Sequence, residues 1–281
     1  MTRSTRAFLW TGLLSLLGAT LLHLLALRGS SWAWPALIHL MLFGWISAMI
    51  IAVNYHTLPV FSARDFAVPW LLDLHWLAFT GGIGLAAGGL LVGSRGAVSG
   101  GLLLELVAAL CFVVNTLLLF ARGARRAQPA PPPLIPDQPL VDKLGTTATK
   151  GAGLCLPLAL LILLTVQLGW SSGSWWLAAE HLATLGWMML MIVGVAYHVL
   201  PRFTGRGVRG LAWARMQLLC HYGALILMIP ALAMGWKQTF AIGGLLMALS
   251  LALFGWTIWP TLEPVRPRLG PIMLLTKEPP R

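Results

Sequence analysis

Charge is scarce in this sequence. Only 10% of its 281 residues are Asp, Glu, Lys or Arg, and 8 are acidic against 19 basic. A soluble domain uses about 25% charged residues, so a water-facing globular surface is excluded. Cysteine is nearly absent: Cys111, Cys155 and Cys220 each stand alone in an apolar segment, which excludes a disulfide framework and a cysteine-based metal site. Proline clusters only between Gln128 and Pro139, so no long disordered region is expected. What remains is apolar, with 58% hydrophobic residues and a mean hydropathy of +0.82. These values describe a polytopic membrane protein.

Runs able to cross a bilayer, which takes about 20 apolar residues, fall near 8–28, 34–58, 69–93, 98–121, 151–170, 177–200, 211–235 and 238–261. The first is too long for a signal-peptide core and is read as a retained helix. The fold class is therefore all-α, a polytopic integral membrane protein with eight transmembrane helices. If the N-terminus is cytoplasmic, sixteen of the 19 Lys and Arg residues fall on the inner side, and Arg28, Arg95 and Lys237 alone lie outside. Under the positive-inside rule this puts the chain in the cell inner (plasma) membrane with both termini cytoplasmic. The net charge of +11 is then topogenic, and nucleic acid is not expected as a partner. The expected domains are a first four-helix repeat over 1–125, a Pro-rich cytoplasmic linker over 126–150, a second four-helix repeat over 151–262 and a basic tail over 263–281.

The repeat rests on an alignment at a constant offset of 142. HLMLFGWISAMIIAVNYHTLPVF, residues 39–61, lies over HLATLGWMMLMIVGVAYHVLPRF, residues 181–203, with twelve of 23 positions identical. The shared residues include His39/His181, Gly44/Gly186, Trp45/Trp187, Tyr55/Tyr197, His56/His198 and Pro59/Pro201. Four helices separate the copies, so the repeats run parallel, with their axis along the membrane normal. The prolines are expected to end their helices. In the following helix the offset carries His75 to Gln217. His221, one turn further on and on the same face, is taken as its functional counterpart.

All seven histidines lie in or beside spans, where an ionisable group reads as functional by default. His23, His39 and His181 form an outer layer, and His56, His75, His198 and His221 an inner one. His23 alone is accounted for by an interhelical hydrogen bond or an interfacial position. Imidazoles with no softer or more acidic ligand nearby suit haem iron or copper. His39 and His56 are 17 residues apart, about 25 Å along the helix and about 100° around it, so they cannot share one iron. The inner four histidines are expected to converge, on copper or a second haem. Arg64, Arg202 and Arg206 stand near enough in sequence to meet propionates or to serve as topogenic charges. Gly81, Gly82 and Gly84 make room for a porphyrin edge or for close helix packing. The three tyrosines, Tyr55, Tyr197 and Tyr222, each adjoin an inner histidine and read either as interfacial anchors or as redox and proton groups. Of the carboxylates, Asp73 or Glu180 could orient an imidazole, and Glu105 belongs to a proton route or finds a polar neighbour such as Asn115 or Gln167.

At His39, Gly44, Trp45, Tyr55 and Pro59 the sequence resembles the second helix of the catalytic subunit of haem-copper oxidases and nitric oxide reductases. Residues 181–206 also resemble stretches of small oxidase-like and NnrS-type membrane proteins. The resemblance covers about 50 residues. The copper motif, an adjacent His-His pair and the His-x-His of the third repeat are missing. The resemblance implies haem b on His39 and His181, flanked by Gly44, Trp45, Gly186 and Trp187; His56, His75, His198 and His221 are metal-ligand candidates from their shared inner layer. It implies electron transfer or nitric oxide and oxygen chemistry, with a quinol or cytochrome donor and other membrane subunits or a second copy as partners beside the bilayer. The alternatives are a non-enzymatic copper or haem handling or sensing protein and, third, a transporter. No catalytic residue is assigned.

Overall fold

In a bilayer every backbone polar group must be paired inside the protein, which leaves helices or closed barrels, and long uninterrupted apolar runs such as those of this chain fit helices. The computed structural model describes residues 2–27, 29, 33–125 and 135–263. Eight helices in it are long and apolar enough to cross a membrane: α1 (Arg3–Leu27), α2 (Trp34–Ser62), α3 (Pro69–Val92), α4 (Arg95–Arg122), α5 (Gln138–Gln167), α6 (Ser174–Thr204), α7 (Leu211–Met234) and α8 (Lys237–Leu262). The described residues contain no strand, only an isolated bridge between Arg64 and Arg125. The protein is a multi-pass membrane protein. Large apolar side chains such as Trp10, Leu14, Leu17 and Leu21 on α1 are more than half exposed, as lipid-facing residues are. The interior collects small and polar residues such as Ala48, Ser47 and His75 together with large apolar ones such as Phe8 and Trp187.

α1 lies against α2 and α3 against α4, while α2 also meets α3. In the second half α5 lies against α6 and α7 against α8, while α6 also meets α7. The halves join where α4 packs on α5, and where α2 meets α6 the Trp187 indole donates to the Ser47 hydroxyl at 3.0 Å. One core, including Phe8, Ile51, Phe79, Phe112, Leu160 and Trp187, runs through both halves.

Two expectations are corrected. The linker expected over 126–150 is shorter, because α5 begins at Gln138, with Pro139 in its first turn. Its opening turns are polar and escape a hydropathy reading, yet they are ordered by contacts to α6. Pro59 and Pro201 do not end their helices, which run on to Ser62 and Thr204 and stop where Ala63 and Gly205 turn left-handed (φ 50° and 66°). A proline removes the hydrogen bond to the carbonyl four residues earlier, and the Tyr197 carbonyl so freed by Pro201 accepts from the Gln138 side-chain amide at 3.5 Å.

Both second helices widen into π-helical turns just after the first histidine of each aligned segment, over Leu40–Ile46 and Leu182–Met189. Such turns release backbone groups to side chains. The Ser47 hydroxyl donates to the Leu42 carbonyl at 3.0 Å, while its oxygen receives the Trp187 indole.

Candidate functional site

Tyr55 on α2 and His75 on α3 are both fully buried. The phenol accepts the Asn115 side-chain amide at 3.2 Å and donates to His75 Nδ1 at 2.5 Å. With Nδ1 thereby the acceptor, the network assigns the imidazole proton to Nε2. That N–H has no partner among the described residues. Phe8, Phe79 and Phe112 surround the ring with centroids 4.7, 6.2 and 6.1 Å away.

Toward the His39 end of the same half, Glu105 on α4 is 2% exposed and takes His39 Nε2 on Oε1 at 2.7 Å. Its second oxygen, Oε2, likewise has no partner. His75 and Glu105 line one small space of about 10 Å³, walled by Phe43, Ser47, Ile51, Phe79, Ala109, Leu156 and Leu160. That is about the room one water needs. The result is a buried series, Asn115–Tyr55–His75, then the space, then Glu105–His39.

The second half keeps this frame without its ionisable groups. Tyr197 donates to Gln217 at 3.2 Å, and Thr257, at the position of Asn115, donates instead to the Leu253 carbonyl at 2.6 Å. Tyr55, His75 and Asn115 each map onto these residues at the offset of 142. The structural counterpart of His75 is therefore Gln217 and not His221, because the tyrosine reaches the residue twenty positions on at its own depth in both halves. His221 instead contacts the Leu185 carbonyl at 3.0 Å and Ser250 at 3.2 Å. Met247 stands where Glu105 would be.

The remaining sequence candidates are dispersed. His198 contacts Asp142 at 3.0 Å between α6 and α5, whereas His75 and His221 sit in other helix interfaces and His56 is exposed. The four inner histidines thus do not converge, and among the described residues no three His, Cys, Asp or Glu side chains come together as a metal site. The three helices that carry them beside α2 each turn the imidazole to a nearer partner. His181 hydrogen-bonds the Leu177 carbonyl of its own helix at 2.9 Å and packs on Phe240 of α8, while His39 faces α4. Glu180 lies within electrostatic reach of both. His23 packs on Trp34. Arg64 donates to the Phe120 carbonyl at 2.8 Å, Arg202 pairs with Asp142 and Arg206 with Glu263. The pairings of Glu105 and Asp142 join residues 66 and 56 positions apart, which spacing along one helix does not signal.

The residues around His39 and His181 do not fit a haem as they are packed. Glu105 holds His39 Nε2, and the ring lies 5.1 Å from Phe43. A Cβ on Gly44 would meet Ser15 at 2.7 Å, and one on Gly186 would meet Cys155 at 2.8 Å, so both glycines serve close contact with α1 and α5. Trp187 is fully buried against Phe112, and Trp45 is half-buried. Gly82 likewise abuts Glu105 and Gly101 on α4, while nothing lies near Gly84. Purified from haem-replete cells, the protein is expected to show no stoichiometric Soret band. A band lost on His39→Ala would show that Glu105 yields its place to iron. No known protein-family model matches the chain, and no curated protein matches it.

Proposed function

We propose that this protein handles protons within the membrane, and that its first four helices carry the protonatable site. One observation carries the reading: His75 and Glu105, each with a buried polar atom that has no partner among the described residues (Nε2 and Oε2), line the same water-sized space. Leaving such atoms unpaired costs about 1–3 kcal/mol each, so each calls for a partner, and a single water in the space between them would supply one and link the two groups. Glu105 Oε1 holds His39, Oε2 has no partner among the described residues, and the residue lines the same space as His75. Protonated to the imidazolium, His75 can give a proton through one water to the Glu105 carboxylate and return to its neutral form, and a proton leaving the Glu105 carboxyl has neutral His39 as acceptor.

The parallel two-repeat architecture belongs to the same proposal. It is supported by the two π-helical turns, by the same order of helix neighbours in each half and by the matched tyrosine contacts. Within it, Gln217 and Met247 keep the frame and drop the chemistry, which favours the half with His75 and Glu105 as the seat of the function. The basic-residue bias supports an inner-membrane location with the Arg202 end cytoplasmic.

Infrared titration of the reconstituted protein tests the proton reading. The carbonyl band of a protonated carboxylic acid is expected to follow pH in the wild type, to vanish in Glu105→Gln and to titrate at a different pH in His75→Phe. Identical spectra for folded wild type and Glu105→Gln would overturn it.

A further inference from the structure

A second cavity opens at the Arg202 end of the bundle, between α2, α5 and α6, with a volume of about 180 Å³. It shares Asn54, Val195 and Val199 with a groove of about 380 Å³ between α2 and α6, whose other walls are apolar. Val53 and Ile192 in that groove are 43% and 49% exposed, so it opens onto the lipid. On α6 it runs from Met191 to Leu200, about 14 Å along the helix axis. Apolar space of this kind stays dry, so in a bilayer it is a hydrocarbon chain that fills it.

The polar chamber discriminates by hydrogen-bond role, because its own donors are already engaged. The Asn54 amide donates to the Ile50 carbonyl, Thr57 to Val53, Ser62 to Leu58 and Thr149 to Thr146, all at 2.7–3.1 Å. Arg202 holds Asp142 through both terminal nitrogens at 2.6 Å, so their charges cancel. His198 gives its Nδ1–H to Asp142 at 3.0 Å, and the Thr146 hydroxyl lies 3.4 Å from the Nε2 that this leaves as acceptor. What remains over is acceptor capacity without net charge. Asn54 carries the clearest share of it. The residue is 2% exposed, the bond to Ile50 fixes which end of its amide is nitrogen, and Oδ1 makes no hydrogen bond among the described residues. Arg202 Nε is shut away from the space, whereas Asn54 Oδ1 remains open at the junction of chamber and groove. The offset of 142 places Ala196 at this position in the second half, so the frame itself does not require an asparagine here.

A matching ligand brings hydrogen-bond donors and no charge to the chamber, and one hydrocarbon chain to the groove. A phosphatidylcholine fails on the first count, since its phosphate and ester oxygens only accept and meet acceptors here. We propose that this chamber and groove bind a neutral single-chain lipid with free hydroxyl groups on its head, of the monoacylglycerol class, one hydroxyl donating to Asn54 Oδ1 and the tail lying between α2 and α6. The site shares no residue with the His75–Glu105 space, so it stands or falls apart from the proton reading.

The test is photolabelling of the full chain in phosphatidylcholine nanodiscs by a monoacylglycerol that carries a diazirine in its tail, with the labelled peptides mapped by mass spectrometry. Labelling is expected to saturate at one lipid per chain and to fall within residues 49–54 and 191–200, the two walls of the groove. Unlabelled monoacylglycerol is expected to compete, and its diacetate, which has the same tail and no hydroxyl, is not. Asn54→Leu is expected to weaken binding about fivefold, the worth of one hydrogen bond, with Asn54→Ala as the second variant should the first fail to fold. Ala196→Trp, which fills the groove and leaves the chamber, is expected to abolish saturable labelling. Labelling spread evenly over the lipid-facing helices of folded wild type would overturn the proposal. So would equal competition by the diacetate, or wild-type affinity in the folded Asn54 or Ala196 variants.

Discussion

Asp142→Leu is expected to destabilise the protein by about 3 kcal/mol, at the lower end of what removing one partner of a buried ion pair costs. Asp142 and Arg202 are partly covered, with side chains 23% and 15% exposed, which keeps the cost from the top of that range. The substitution removes four contacts: both arms of Arg202, the His198 Nδ1–H and the Gln138 amide. It leaves a guanidinium whose only remaining hydrogen bond among the described residues is to the His198 carbonyl at 2.8 Å, and the freed Gln138 then has only the Tyr197 carbonyl to hold. In detergent the thermal midpoint is expected to fall by roughly 6–12 °C. The double variant Asp142→Leu/Arg202→Met is expected to recover most of the loss, because replacing both partners by apolar groups of similar size leaves no orphan charge. Equal loss in the single and double variants would mean that the carboxylate acts through α5 alone. No loss in either would mean that water reaches the pair freely.

The span boundaries were legible in the sequence because the hydrophobic signal is long and uninterrupted. The expected 34–58 and 69–93 fall within a few residues of Trp34–Ser62 and Pro69–Val92. The start of α5 was not legible, since Gln138, Asp142, Lys143 and Thr146 make polar turns whose order comes from α6. The alignment at offset 142 located His39, Tyr55 and their counterparts, and Glu105 stood out as a carboxylate within a span. Their partners did not stand out. A buried pair between helices leaves no periodic trace, so neither the His39–Glu105 nor the Tyr55–His75 contact could be read from spacing. Histidine as a residue type drew His221 into the role of His75, whereas contact geometry gives that role to Gln217. Asp142 was hidden for the same reason that α5 began too late: a charged residue near a proline-rich stretch reads as linker.

The largest effect of all is expected from a change that touches no polar group. At Gly101 on α4 an added Cβ would collide with the backbone nitrogen and Cα of Ala86 on α3, and at Gly82 one would meet the Glu105 nitrogen and the Gly101 carbonyl oxygen, both at 2.9 Å. Here α3 and α4 touch backbone to backbone, the small-residue packing that lets helices associate in lipid. Overpacking costs about 1–3 kcal/mol where side chains can give way, and more where they cannot. Neither backbone can give way here without separating the two helices. Gly101→Leu is therefore expected to abolish the folded monomer, read as loss of the monodisperse peak in size-exclusion chromatography. Gly84→Ala, one residue class and two positions away from Gly82 with nothing within 4 Å, is expected to be neutral or to stabilise, since alanine is favoured over glycine in a helix by roughly 1 kcal/mol. The same close approach sets the depth of Glu105 relative to His75. Gly101→Ala, if it yields any folded protein, should therefore perturb the Glu105 carboxyl band although neither side chain is changed. A Gly101→Leu protein that folds and titrates like wild type would show that α3 and α4 stand further apart than this packing requires, and that the water-sized space between His75 and Glu105 is wider.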